Sequence, residues 1–197
     1  MVEPLRIIVA DDDCDMRSLL SRLLSRMGHR VVASVDNGNA LVEECLAQQP
    51  DLVISDIRMP GCDGLSAASQ LCREAPVPVV LLTAHMDQEL VQRACESDIM
   101  AYLVKPVREP EVEAAIALAM TRFRKHTELR REAKELRQAL DDRKVIERAK
   151  GILMKRASLD EQAAYRRLQK LASARNMRLA DLARRVCDAE EAVDWSD

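Results

Sequence analysis

Leu52-Val53-Ile54-Ser55-Asp56-Ile57-Arg58-Met59-Pro60-Gly61-Cys62-Asp63-Gly64 decides the fold. A short apolar run ends in a lone carboxylate, and Met59-Pro60-Gly61 then breaks the chain. The pattern predicts a buried strand with Asp56 at its carboxyl end. Open α/β sheets place their chemistry at such ends. Holding a carboxylate beside a core is costly, so Asp56 either caps the amides of the loop it begins or is kept for function. Which of the two holds depends on what other strand ends bring to it.

Upstream, Arg6-Ile7-Ile8-Val9-Ala10 is an apolar run ending in Asp11-Asp12-Asp13, and Met16 to Met27 repeats apolar residues at helical spacing before Gly28. Val31 to Val35 reads as the next strand, Asp36-Asn37-Gly38 as a turn, and Ala40 to Ala47 as a helix ended by Pro50. Downstream, Leu65 to Ala75 is helical and Val77 to Thr83 an apolar strand. Gln88 to Ser97 is a helix, and Ala101-Tyr102-Leu103-Val104 a fifth strand cut by Lys105-Pro106. Strands alternating with helices predict a five-stranded parallel, doubly wound sheet with right-handed crossovers.

In that arrangement Asp11 and Asp12 end the first strand, Asp56 the third, Thr83 the fourth, and Lys105 follows the fifth. One crevice collects three carboxylates, a hydroxyl and an ammonium. Crowded carboxylates raise one another's pKa unless a cation sits among them, and an all-oxygen site suits Mg²⁺. With Mg²⁺ and Lys105 neutralising charge, Asp56 is a candidate nucleophile on phosphorus. The resulting acyl phosphate would be bound by the metal, Lys105 and the Thr83 hydroxyl.

Charge divides the chain. Residues 1–120 carry 10 Lys and Arg against 19 Asp and Glu, a net of −9. Residues 121–197 carry 20 against 14, a net of +6, and all seven prolines lie at or before Pro110. Two modules with differently charged partners are expected. Six cysteines form no C-x-x-C pair and the three histidines stand apart from them, so neither a zinc site nor a disulfide framework is indicated. No apolar run approaches the roughly 20 residues of a membrane helix, and Met1 leads into a short strand rather than a signal peptide. The expectation is a cytoplasmic protein with free thiols.

Residues 4 to about 120 resemble a response-regulator receiver domain of two-component signalling. The resemblance rests on the acidic pair, Asp56-Ile57-Arg58-Met59-Pro60 with Asp63-Gly64 after it, Thr83-Ala84, and Tyr102-Leu103-Val104-Lys105-Pro106. It implies a sensor histidine kinase as partner, with no small-molecule substrate beyond a phosphodonor. It puts the metal pair on Asp11 and Asp12, with Asp12 the more direct ligand and Asp13 a bystander, and adds the backbone carbonyl of Arg58 as a ligand. It also implies a cis Lys105-Pro106 peptide and a switch pair of Thr83 and Tyr102.

From Glu109 the pattern is helical past Leu140, as one long helix or two joined. Ile116 and Phe123, Leu129 and Leu136, with Ala133 and Leu140, form an a/d-like stripe broken by a six-residue step from Phe123 to Leu129. Either two chains pair there as a coiled coil, or the helix packs on its own receiver. Three short helices then follow, Val145 to Arg156, Asp160 to Arg175 and Leu179 to Ala189. A capping-box pattern stands at Ser158-Leu159-Asp160-Glu161, and Asn176 is a candidate terminator of the second helix. Gly151 inside a helix costs about 1 kcal/mol against Ala, which suggests a close backbone approach.

Val145 to Arg156, containing Ala149-Lys150-Gly151-Ile152-Leu153-Met154, followed by Ala163-Ala164-Tyr165-Arg166-Arg167-Leu168 and Leu179-Ala180-Asp181-Leu182-Ala183, resembles an ANTAR domain over about 136–190. That resemblance implies binding to tandem hairpins in nascent leader RNA and transcription antitermination. Lys150, Gly151, Lys155, Arg156, Arg166 and Arg167 are the candidate RNA-contacting positions, with Lys150 and Arg156 foremost. Tyr165 is either a base-stacking ring or a lid on the core.

The expected architecture is therefore a receiver over 1–120, a helical coiled-coil linker over 110–145 and a small three-helix output domain over 136–190, active as a homodimer. A DNA-binding response regulator and a receiver with a protein-interaction output are the competing readings. Against the first, Leu179-Ala180-Asp181-Leu182 is poor in base-reading side chains. An independent enzyme is disfavoured, because residues 121–197 offer no convergent acid, nucleophile and metal set.

Overall fold

A computed structural model describes residues 4–84 and 100–194, with side chains through residue 190. The expected helix over Gln88–Ser97 and Trp195 lie outside the described residues. The chain divides into two compact units, Met1–Thr127 and Glu128–Asp197.

In the first unit, five parallel strands, β1 (Arg6–Ala10), β2 (Arg30–Val35), β3 (Leu52–Asp56), β4 (Val79–Thr83) and β5 (Ala101–Val104), lie in the order β2-β1-β3-β4-β5. The helices α1 (Cys14–Arg26), α2 (Gly38–Gln48) and α3 (Gly64–Glu74), with the beginning of α4 (Glu109–Ala157), cover the sheet. Burial explains the unbroken apolar runs. Side chains of one strand alternate between faces, and both faces are covered. Ile7, Val9, Leu52, Ile54, Val80 and Leu82 pack with Leu20 and Leu24 of α1 and Val112, Ile116 and Ala119 of α4. Ile8, Val53 and Leu81 pack on the other face with Leu41 of α2 and Leu65 and Leu71 of α3.

Local chemistry sets the helix starts. Asp13, Asn37 and Asp63 are N-caps whose side chains accept from the N–H groups of Asp15, Ala40 and Ser66. Strand β4 begins at Val79 rather than Val77, because Pro78 has no N–H to give the ladder. Its carbonyl instead accepts from Val53 N at 3.0 Å.

In the second unit, the remainder of α4, α5 (Glu161–Ala174) and α6 (Leu179–Asp194) bury Ala149, Leu168, Ala172, Leu182, Ala183 and Cys187. The first of the three expected output helices is not separate. No proline or cap interrupts residues 111–157, and α4 runs 49 residues through it. The cap of α5 is Asp160, which accepts from Ala163 N at 2.7 Å, while Ser158 takes a left-handed φ of 49° in the turn before it. Asn176, at φ 50°, follows the second helix as expected. Asp142 of α4 binds Arg178 at 3.2 Å and also pairs with Arg184, which fastens α6 to α4.

Two expectations require correction. Ile116 is 2% exposed and Phe123 packs against the same receiver core, so neither joins an intermolecular stripe. The six-residue step marks where that packing ends. At Gly151 an added Cβ would meet nothing within 4 Å, so no neighbouring backbone requires the glycine.

Candidate functional site

Parallel strands all point their carboxyl ends the same way, so the polar residues after β1, β3, β4 and β5 gather on one rim. Asp11 is fully buried just beyond β1, and Asp56 ends β3 at 7% exposure. The Lys105 ammonium reaches both carboxylates, 2.8 Å to Asp11 Oδ2 and 2.9 Å to Asp56 Oδ1. The second Asp56 oxygen, Oδ2, accepts the Arg58 N–H at 3.1 Å, and Asp11 Oδ1 accepts the Asp13 N–H at 3.0 Å. Thr83 ends β4, pairs in register with Val104, and its carbonyl accepts the Lys105 N–H at 2.8 Å. The Lys105-Pro106 peptide is cis.

Electrostatics raise the proton affinity of this carboxylate. Burial pushes the Asp56 carboxyl above the usual range and the Asp11 charge adds to it. Lys105 and the Arg58 amide oppose without cancelling it. Burial by itself would lower Lys105, but its bonds to Asp11 and Asp56 outweigh that and raise it, so it is a fixed cation. Asp11, Asp12 and Asp56 each offer an oxygen within 4.8 Å of the others. Asp13, occupied as a helix cap, stays out of that group. One ammonium among three carboxylates leaves room for a hard divalent cation, and the all-oxygen donor set fits one.

The supporting residues were less visible in the sequence. Arg17 donates through Nη1 to the carbonyls of Asp11 at 2.6 Å and Asp12 at 3.2 Å, which fixes the acidic corner. Its place one turn into α1 was the available signal. Gly64 lies so close to β3 that a Cβ would stand 2.1 Å from the Asp56 carbonyl oxygen. Gly38 approaches the Cys62 carbonyl in the same way, at 2.4 Å. The loop from Ile57 to Asp63 is thereby pressed between two glycines. Tyr102 is 46% exposed on β5.

In the second unit Lys155, Arg156, Tyr165, Arg166 and Arg167 are exposed, and Arg156 pairs with Glu190 at 2.6 Å. Lys150 is not the exposed phosphate contact expected of it. It is 7% exposed, and its ammonium lies 2.9 Å from Glu147 Oε1 and 2.7 Å from Glu161 Oε1. A lysine one turn from Glu147 and facing the start of α5 satisfies its charge internally. The carboxylate partners were the residues sequence reasoning passed over.

A receiver-type sheet with this acidic crevice, joined to a basic helical module, defines a class of signal-dependent regulators, and comparison with known proteins agrees. The family described as "Response regulator receiver domain" matches residues 7–117, and the family described as "ANTAR domain" matches residues 134–186. The transcriptional regulatory protein PdtaR of Mycobacterium tuberculosis is 37% identical over 185 residues, spanning 94% of this chain and 90% of PdtaR. The positive alginate biosynthesis regulatory protein of Pseudomonas aeruginosa is 39% identical over 118 residues, spanning 58% of this chain and 47% of that protein. Among solved structures, the signal receiver domain of the putative response regulator NarL from Mycobacterium tuberculosis has a TM-score of 0.56 and 34% identity. It covers 60% of this chain and 98% of that one.

The chain belongs to the response-regulator family, with an ANTAR domain after its receiver. It is a regulator of transcription rather than an enzyme, and no helix among the described residues is long and apolar enough to cross a membrane.

Proposed function

We propose that a sensor histidine kinase, or a small acyl phosphate, phosphorylates Asp56, and that this controls binding of the ANTAR domain to hairpins in nascent leader RNA, giving transcription antitermination in the cytoplasm. The observation that carries the reading is the Lys105 ammonium held between Asp11 and Asp56.

In the transfer, an Asp56 carboxylate oxygen forms a bond to phosphorus as the bond from phosphorus to the donor breaks; a kinase phosphohistidine releases its imidazole, which takes up a proton, and an acyl phosphate releases a carboxylate. Mg²⁺ bound by Asp11, Asp12, Asp56 and the Arg58 carbonyl would neutralise charge on the transferring phosphoryl oxygens. Lys105 stands against Asp56 beforehand, so its charge needs no reorganisation. Thr83 supplies the hydroxyl that engages the new phosphoryl group, and Tyr102, already at the surface, reports the change to a partner.

For the output, exposed Lys155, Arg156, Arg166 and Arg167 suit phosphate contacts and Tyr165 suits stacking. Leu129, Leu136 and Leu140 stand 53%, 67% and 59% exposed on α4 with Ala133 between them, at the four-three-four spacing of a coiled-coil seam. A second copy of the chain is the natural cover, and pairing lets two weak RNA sites act together. A duplex-DNA reader fits less well. Ala180 and Leu182, at the start of α6, are buried and Asp181 pairs with Arg184, which leaves that end poor in free base-reading side chains.

The test is mobility shift of the purified protein on a pool of structured leader RNAs at fixed salt, with and without Mg²⁺ and acetyl phosphate, against duplex DNA competitor. A two-hairpin RNA should bind, tighten with phosphodonor, and lose that tightening in Asp56→Asn. Stimulation undiminished in Asp56→Asn, or displacement by DNA, overturns the reading.

A further inference from the structure

We infer that Arg17 is a positioning residue for the metal: by holding the backbone of Asp11 and Asp12, it sets how tightly their carboxylates take up Mg²⁺. This rests on the reading of Asp11, Asp12 and Asp56 as a Mg²⁺ site and extends it to a residue outside the ligand set.

Asp11-Asp12-Asp13-Cys14-Asp15-Met16-Arg17 puts four carboxylates and one cation into seven residues. Like charges so crowded spread the chain apart unless it is tied. Asp11 is tied by its own bonds. It is fully buried, its N–H donates to the Val35 carbonyl at 3.1 Å, and its Oδ1 accepts the Asp13 N–H at 3.0 Å. Asp13 is tied as the cap of α1, accepting the Asp15 N–H at 2.8 Å. Asp12 is the exposed member of the metal-binding group, so its aim depends on its backbone. Arg17 Nη1 donates to the Asp11 carbonyl at 2.6 Å and to the Asp12 carbonyl at 3.2 Å. Those carbonyls belong to the two peptides that flank the Asp12 Cα, so one nitrogen with two hydrogens fixes the direction in which the Asp12 side chain leaves the loop. The Arg17 N–H donates to the Asp13 carbonyl at 3.0 Å, which anchors the clamp in the first turn of α1.

The two cations of the crevice divide the work. Lys105 bonds carboxylate oxygens, on Asp11 and Asp56. Arg17 takes carbonyls and leaves the carboxylate lone pairs to the metal. The sign of its effect separates positioning from charge. By charge alone, a guanidinium beside a cation site repels the metal, and neutralising it tightens binding. By positioning, neutralising it frees the Asp12 backbone and weakens binding. Loss of a residue that orients metal ligands from behind typically weakens binding by about tenfold or more.

The test titrates Mg²⁺ into the full-length protein by calorimetry and follows phosphorylation from acetyl phosphate over the same Mg²⁺ range. Arg17→Gln should raise the Mg²⁺ dissociation constant about tenfold and shift the half-saturating Mg²⁺ for phosphorylation by the same factor. Its limiting rate at saturating Mg²⁺ should stay within about twofold of the parent. Arg17→Lys keeps the charge without the planar fork; it should bind Mg²⁺ about threefold more weakly than the parent, and it decides the matter if Arg17→Gln does not fold. Arg22→Gln removes an exposed cation of the same helix, one that donates to the Ser18 carbonyl at 3.3 Å, and should leave Mg²⁺ binding unchanged. Unchanged or tighter Mg²⁺ binding in Arg17→Gln overturns the inference while the metal site stands, even where the melting temperature falls. A lower limiting rate with the half-saturating Mg²⁺ unmoved overturns it too, because Arg17 would then act in the transfer itself. If the parent takes up no Mg²⁺, or Asp12→Asn binds it as the parent does, the metal reading fails and the inference with it.

Discussion

Asp56 Oδ1 and Lys105 Nζ lie 2.9 Å apart although their strands are not neighbours, β4 running between them. The lysine spans that strand and reaches Asp11 as well, so one cation serves two carboxylates. The balance is still unfavourable to Asp56, whose carboxyl titrates above its ordinary 3.8, chiefly through burial. An acid raised on folding loses its proton first in the unfolded chain. Its stabilising contribution is present at low pH and is lost as pH rises from about 3.8 through the folded value. At neutral pH the Asp56 charge is thus a cost accepted for reactivity. Asp56→Asn should abolish phosphate incorporation from acetyl phosphate and raise stability by on the order of 1 kcal/mol in urea unfolding without metal. Lys105→Ala, which leaves Asp11 and Asp56 without their shared donor, should lower stability by about 2 kcal/mol. An Asp56→Asn protein less stable than the parent would refute this account of the crevice.

His29 makes a separate pH prediction. It is 8% exposed and its Nδ1 accepts the Leu5 N–H at 3.2 Å, a bond only the unprotonated nitrogen can make. Burial lowers its pKa below 6.5, and the charge of Glu113 opposes this only in part. The unfolded chain takes up a proton near 6.5 while the folded chain does not, so this contribution is whole above about 6.5 and is lost on acidification below it. The difference in melting temperature between wild type and His29→Gln, followed from pH 8 to pH 5, should shift against the wild type across that window. A pH-independent difference would show that His29 does not titrate with folding.

Two glycines of this chain should respond to alanine with opposite signs. At Gly64 the new Cβ would stand 2.1 Å from the Asp56 carbonyl oxygen and 2.9 Å from Ser55 Oγ, so backbone must move. Gly64→Ala should cost about 2–3 kcal/mol and slow phosphorylation of Asp56. At Gly151 the Cβ meets open space within a helix, so Gly151→Ala should gain about 0.5–1 kcal/mol through lower backbone entropy in the unfolded chain. If RNA passes over that position, the more stable protein will bind RNA more weakly. Melting curves and mobility shifts on the same two variants measure both effects.

The crevice was legible because strand ends in a parallel sheet are fixed by chain order alone. Once Ile7–Ala10, Leu52–Ile54 and Val79–Leu82 are read as strands, Asp11, Asp56 and Thr83 have only one place to go. The output surface was less legible, because on a helix the same lysine can face solvent or a neighbour. Lys150 was read from its charge, but its environment is set by Glu161, eleven residues on and across a turn no local pattern resolves. Likewise Phe123 and Leu129 look alike in sequence, and only tertiary packing separates the half-buried one from the exposed one. Gly151 was misread for a related reason, since a helical glycine signals either close packing or an unneeded side chain, and the sequence carries no term that distinguishes them.

The exposed seam on α4 makes the last prediction. Leu136 is 67% exposed, so exchanging it for lysine removes no packing within its own unit and should change stability by no more than about 0.5 kcal/mol. If a second chain covers Leu129, Ala133, Leu136 and Leu140, Leu136→Lys buries a charge in the middle of that seam and should leave the protein monomeric by sedimentation, with its circular dichroism unchanged. RNA affinity should then fall about a hundredfold for a two-hairpin target, as avidity disappears, and little for a single hairpin. Leu118→Lys, 43% exposed on the receiver portion of the same helix, serves as the charge control and should leave the mass unaltered. A Leu136→Lys protein that keeps the mass and the two-hairpin affinity of the parent would place the pairing surface somewhere other than this seam.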